Sequence, residues 1–244
     1  MNQNENQLFE AYDLEIYSAK KKSNKYIIVC HGFGDVKIGY NKYRLLFNEI
    51  IDCYNIVAFT FSHCKDEIYK VTNIIEWVDD LEKVVGWVKS QTRSAEISLM
   101  GISMGAWVCT LYCIRDTSIE SNICIGPVFS LHTGIKKNGG VAVLLLKEGK
   151  KKLNDIEVSS EFLKSLIINQ PINVFLSGKY RIPTLLLVGS LDNIYRKTDT
   201  IIAEDLLDKQ KVSCLRKEIM EGCHFINNGQ AINLLCEVIK RYLR

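Results

Sequence analysis

Long apolar runs are missing from this chain of 244 residues. The longest in its middle, Val141 to Leu146, is far too short for a hydrocarbon core that needs about twenty residues, so stable membrane insertion is not expected. The first fifteen residues are polar and acidic, with no basic stretch followed by an apolar one, which speaks against a secretory leader. Charge of one sign is also scarce: a net +3 is too small to point to nucleic acid. No CxxC pair occurs and the four histidines are scattered, so no metal site is expected. Internal repeats and low-complexity tracts are absent.

Cysteine, by contrast, is plentiful. The nine are an odd number, and most sit inside apolar patterns, such as Cys30 in Tyr-Ile-Ile-Val-Cys. They read as small buried hydrophobes in a reducing compartment, so the expected location is the cytoplasm. The apolar content of 47% suits one well-buried domain.

Tyr26–Cys30 and Asn55–Phe61 are continuous apolar runs, as expected for strands buried on both faces. Residues 71–88 repeat apolar side chains at helical spacing and predict an amphipathic helix packed on a sheet. The pattern continues with strand Glu96–Met100, helix Met104–Ile114, strands Asn122–Ile125 and Thr184–Val188, a helix around Thr198–Leu207, strand Val212–Ile219 and helix Gly229–Tyr242. Such alternation describes an α/β protein with a mostly parallel sheet covered by helices on both faces.

The connection between Ile125 and Thr184 is too long to be a simple loop. It predicts an insertion over the C-terminal edge of the sheet, partly helical over Leu153–Ile168 and extended over Asn173–Leu176. The expected organisation is a core of residues 1–129 and 183–244 with a cap or lid at 130–182. The cap carries nine basic residues against four acidic ones, including the run Lys147 to Lys152. That run reads as a solvated face, or as an attraction for an acidic thioester substrate or an anionic surface.

The chemistry sits at strand ends. Gly101-Ile102-Ser103-Met104-Gly105 fits G-x-S-x-G between a strand-like and a helix-like run, the setting in which a serine Oγ is exposed on a sharp turn. A serine hydroxyl needs a base, and the base needs an orienting acid. His224, in Glu-Gly-Cys-His-Phe after the last strand, is the candidate base; Asp192, after strand 184–188, is the candidate acid, with Asp199 and Asp205 as competitors. His31-Gly32-Phe33-Gly34 follows the first buried strand and suits an oxyanion hole, whose donors would be the amides of Phe33 and Met104. His31, Gly32, Phe129, Leu131 and His132 are candidates for the substrate pocket, His31 being better suited to packing and His63 to the surface.

With these landmarks in this order (HGFG at 31–34, GISMG at 101–105, GSLD at 189–192, GCHF at 222–225), the chain resembles the α/β-hydrolase superfamily over nearly its whole length. It is similar to the small esterase branch of feruloyl (cinnamoyl) esterases, monoacylglycerol lipases and acyl thioesterases, with a cap after the sixth strand. The resemblance implies a serine hydrolase of carboxylesterase or thioesterase type, working on a small-molecule ester or thioester through an acyl-serine intermediate. It implies neither metal nor organic cofactor. Acyl transfer, or ligand binding without catalysis on the same scaffold, stay open as alternatives. Two places depart from the family. Phe61-Ser62-His63-Cys64-Lys65 stands where many relatives have a G-H-G turn, and the region before Tyr26 is short for the usual antiparallel hairpin.

Overall fold

The structure is a computed structural model and describes residues 10–34, 40–62, 64, 73–130, 152–153, 156–192, 197–226 and 228–244. The strands are β1 (Glu15–Tyr17), β2 (Lys25–Cys30), β3 (Asn55–Ala58), β4 (Glu96–Ile102), β5 (Ser121–Ile125), β6 (Lys152–Leu153), β7 (Ile156–Glu157), β8 (Thr184–Gly189) and β9 (Cys214–Ile219). The helices are α1 (Tyr40–Ile50), α2 (Ile74–Gln91), α3 (Met104–Tyr112), α4 (Ser160–Ile168), α5 (Pro171–Leu176), α6 (Lys197–Lys209) and α7 (Gly229–Tyr242). Seven strands form one sheet in the order β1-β3-β2-β4-β5-β8-β9, while β6 and β7 pair by themselves. Only β1 runs antiparallel in the large sheet. The mostly parallel sheet with helices on both faces expected from the sequence is the one observed.

Side chains alternate across a strand, so each buried strand feeds two cores. Ile27 and Val29 of β2 face one way, into a core with Tyr43, Leu46 and Phe47 of α1 and Ile232, Leu235 and Ile239 of α7. Ile28 and Cys30 face the other way, against α2, α3, α4 and α6. Every residue of α3 is buried, which matches a helix apolar nearly all round. Beneath it, Asn122 donates to Tyr180 Oη (3.0 Å) and Thr110 Oγ1 (3.3 Å), and Tyr180 meets Thr184 Oγ1 at 2.8 Å. These buried polar groups fasten the returning chain to the sheet before β8 begins.

Most of the cysteines occupy apolar positions. Cys30, Cys64, Cys109, Cys113, Cys124 and Cys236 are buried free thiols, and burial pushes Cys109, Cys113 and Cys124 well above the ordinary thiol range. Among the described residues, no helix is long and apolar enough to cross a membrane, and no group of metal-ligating side chains forms.

Several elements differ from the sequence reading. Asn173–Leu176, expected to be extended, lies in helix α5: Pro171 presets the first turn, and Val174 and Phe175 are buried. β3 stops at Ala58 instead of reaching Phe61, because the Thr60 amide turns to Tyr12 O and that of Phe61 to the His31 ring. The short N-terminal region forms one antiparallel strand, β1, beside β3. The long connection begins after β5, the fifth strand from Glu15, one earlier than a family-based count of six. Within it, Lys152–Leu153 and Ile156–Glu157 pair as a small hairpin, and α4 begins at Ser160 behind its cap Ser159. Residues 131–151 of the expected cap, with Leu131, His132 and most of the basic run, lie outside the described residues, as does His63.

The free edge at β9 is charged: Lys217 and Glu218 are exposed beside Leu215. On the other side of the molecule, Asp116 ties α2 to the turn after α3. It accepts from Lys89 (2.7 Å), Tyr112 Oη (2.9 Å) and both the amide and hydroxyl of Ser118. Burial works to raise this carboxyl, but the hydrogen bonds from Lys89, Ser118 and Tyr112 outweigh it and bring it down to about 2. A carboxyl held below its unfolded value of 3.8 stabilises the fold above that pH, and the contribution is lost as pH falls towards about 2. Asp116→Asn should therefore lower the unfolding free energy by roughly 1 kcal/mol at neutral pH, and the gap from wild type should close between about pH 4 and pH 2 in urea titrations. A gap that is independent of pH would contradict this account.

Candidate active site

All the loops that leave the C-terminal ends of the parallel strands emerge on one edge. Consecutive connections from β2 diverge: β3 pairs on one side of it and β4 on the other. The crevice at such a switch point is where open α/β sheets place ligands. His31-Gly32 leaves β2 there and Ser103 leaves β4.

Ser103 has φ 53° and ψ −114°, a backbone conformation costly for a residue with a side chain. It is held by its amide, which donates to Ile125 O (2.9 Å), and by α3, which starts at the next residue. The turn is so tight that a Cβ on Gly105 would stand 2.2 Å from Cys30 O. Serine in this position ordinarily caps its helix. Here its Oγ makes no bond to the helix amides; it points to His224 Nε2 at 2.9 Å.

His224 is 5% exposed and its Nδ1 lies 2.8 Å from Asp192 Oδ2. An ionised carboxylate only accepts hydrogen bonds, so Nδ1 carries the proton and Nε2 is left to accept from the Ser103 hydroxyl. This arrangement can take a proton from the serine and disperse the resulting imidazolium charge onto Asp192. The competitors for the acidic position sit elsewhere. Asp199 is buried in the first turn of α6, and Asp205 is an exposed partner of Lys209.

Three strand ends hold this chain of groups. The Asp192 amide bonds Gly189 O, that of Leu191 bonds Gly222 O, and that of Ser190 bonds Ile219 O, so the loops after β8 and β9 are stitched together. Tyr43 of α1 donates to Phe225 O and steadies the His224 loop from the other layer. Gly126, after β5, carries no sequence signal beyond its place at the end of a buried strand. It has φ +52°, and a Cβ there would meet His224 O at 2.3 Å and Nδ1 at 3.1 Å.

The remaining sequence candidates are distributed unevenly. Gly32 packs against the serine: a Cβ there would be 3.3 Å from Ser103 Cβ. Met104 opens α3, where helix amides lack intrahelical partners and the dipole is positive. Phe33 is half-buried, with its ring against Trp77 and Phe162. His31 is fully buried: its Nδ1–H donates to Gly32 O (2.8 Å) and its Nε2 accepts from the Phe61 amide (3.2 Å). Phe129 is also fully buried, edge-on to Phe175.

Comparison with known proteins agrees with the fold. Residues 21–175 match the family model described as serine aminopeptidase, S33. No curated protein sequence matches the chain. Solved structures that superpose on it include a thermostable carboxyl esterase from Bacillus coagulans in complex with glycerol, with a TM-score of 0.73 at 15% identity over 94% of this chain and 92% of that one. A monoacylglycerol lipase from Paleococcus ferrophilus gives 0.73 at 16% identity over 95% and 98%. Est1E from Butyrivibrio proteoclasticus with ferulic acid bound gives 0.69 at 17% identity over 95% and 94%. At such identities the likeness is one of fold.

The support from Gly126 is open to test. Gly126→Ala should leave a folded protein that has lost the low-field imidazole proton resonance of the His224–Asp192 hydrogen bond, because the new methyl displaces the ring. An unchanged resonance would show that the loop tolerates a side chain there.

Proposed function

The chain belongs to the serine aminopeptidase S33 family of α/β-hydrolases, and on that premise we propose that it cleaves a small carboxylic ester through an acyl-serine intermediate. The observation that carries this reading is the unbroken hydrogen-bonded chain from Ser103 Oγ through His224 to Asp192. Ser103 Oγ attacks the ester carbonyl carbon while its proton passes to His224 Nε2, and Asp192 stabilises the imidazolium. The amides of Phe33 and Met104 donate to the tetrahedral oxyanion. When the intermediate collapses, the C=O bond re-forms, the bond between that carbon and the alkoxy oxygen breaks, and His224 protonates the departing alkoxide. Water, deprotonated by His224, then attacks the acyl-serine; the acid leaves and Ser103 regains its proton.

An ester is favoured as substrate because the superposing structures include a carboxyl esterase and a lipase. Residues 130–182 would cap the crevice, with Phe129 at their base. The free thiols suit the reducing cytoplasm.

The decisive experiment is hydrolysis of p-nitrophenyl esters from acetate to long-chain and aryl acyl groups, with a thioester and an aminoacyl anilide alongside. Wild type should turn over at least one ester, Ser103→Ala should fall to background, and Asp192→Asn should lose roughly 10⁴-fold in kcat. A folded wild type that matches Ser103→Ala on every ester refutes ester hydrolysis. Turnover of the anilide alone would move the reading to peptide bonds.

A further inference from the structure

The oxyanion loop has to keep the Phe33 amide in place beyond the end of β2 at Cys30. A donor that drifts loses most of its effect, since the benefit depends on an orientation fixed before the reaction. Its first half is secured: His31 links Gly32 O to the Phe61 amide through its two ring nitrogens. Its second half makes aromatic contacts. The Phe33 ring lies 5.9 Å from that of Phe162, at 19°, and 6.4 Å from that of Trp77, at 25°. Trp77 is stacked in turn on Phe61 at 4.4 Å, and Trp77 and Phe162 are both fully buried.

Phe162 joins the hydrophobic core from outside the sheet. It is carried by α4, within the long connection between β5 and β8, and its backbone is fixed on both sides. Its amide donates to the cap Ser159 Oγ (2.9 Å), and its carbonyl accepts from Ser165 Oγ (2.7 Å). The same Ser165 oxygen accepts from the Ile74 amide at the start of α2 (3.0 Å), three residues before Trp77. One buried serine thus locks α4 to the helix that presents the second ring.

We infer that Phe162 is a positioning residue for the reaction: through the Phe33 ring it holds the Phe33 amide where the oxyanion forms, so that the inserted segment helps to set the catalytic rate. The inference rests on the ester-hydrolysis reading above and on Phe33 as an oxyanion donor. It separates α4 from a mere cover. A cover would change which acyl groups enter and hence KM, whereas a support for the oxyanion loop changes kcat and leaves the binding of a small substrate alone.

The test uses p-nitrophenyl acetate, small enough to be indifferent to pocket shape, and an aryl trifluoromethyl ketone as a mimic of the tetrahedral intermediate. Phe162→Leu should lower kcat roughly 10- to 100-fold, shift KM by no more than about twofold, and weaken ketone binding in step with kcat/KM. Phe33→Leu should do the same, and adding Phe162→Leu to it should cost little more, because the ring through which Phe162 acts is already gone. Phe162→Met, which fills the space flexibly, serves in place of a leucine variant that does not fold. Wild-type kcat in the Phe162 variant, or an undiminished effect of that variant in the Phe33→Leu background, overturns the positioning role while leaving ester hydrolysis intact. Equal rates for wild type and Ser103→Ala overturn both.

Discussion

Between β4 and α3 the chain must reverse within one residue, and the space around that residue permits little else. Ser103 takes a backbone conformation that side chains disfavour, pressed between Gly32 on one side and the Cys30 carbonyl behind Gly105 on the other. Such strain persists only where the surroundings over-determine it. Here they do: the Ser103 amide is tied to β5, and a fully buried helix is anchored immediately after it. The cost is of order 1–3 kcal/mol. What it achieves is a hydroxyl pulled off its own helix and aimed across the sheet edge at His224.

From that point the rest of the site is a problem of bringing loops to the same place. Parallel strands solve most of it, since their C-terminal ends lie together and each contributes one loop. The loops after β8 and β9 are joined by backbone bonds, so Asp192 and His224 move as a unit. Gly126 beneath the imidazole and Tyr43 from the opposite layer then fix where that unit sits. Backbone bonds join the loops on this side of Ser103, and ring contacts lie on the side of Phe33.

The sheet was legible because a strand buried on both faces must read as a near-continuous apolar run, as Tyr26–Cys30 and Thr184–Val188 do. Ser103 and Asp192 could be named as candidates because each follows such a run amid small residues, and His224 because four histidines leave few choices. Other features depend on partners that no local pattern announces. β3 ends where it does because the ring of His31 takes the Phe61 amide. Six residues of α5 carry too little periodicity to separate helix from strand. The contact of Phe162 with Phe33 joins distant parts of the chain, and in sequence it is one apolar residue in an ordinary amphipathic helix.

The two ends of the sheet have a consequence for the molecule among its own copies. An exposed strand edge offers unpaired backbone groups to any other edge it meets, and long, flat, apolar edges polymerise. This sheet offers little of the kind. On one side it finishes in β1, three residues long, and on the other in β9, where Lys217 and Glu218 stand in the open. Edge-to-edge growth would have to start from a template about one turn of ribbon long or strip water from charges. An edge so short and an edge so charged are poor templates for strand addition by another copy of the chain.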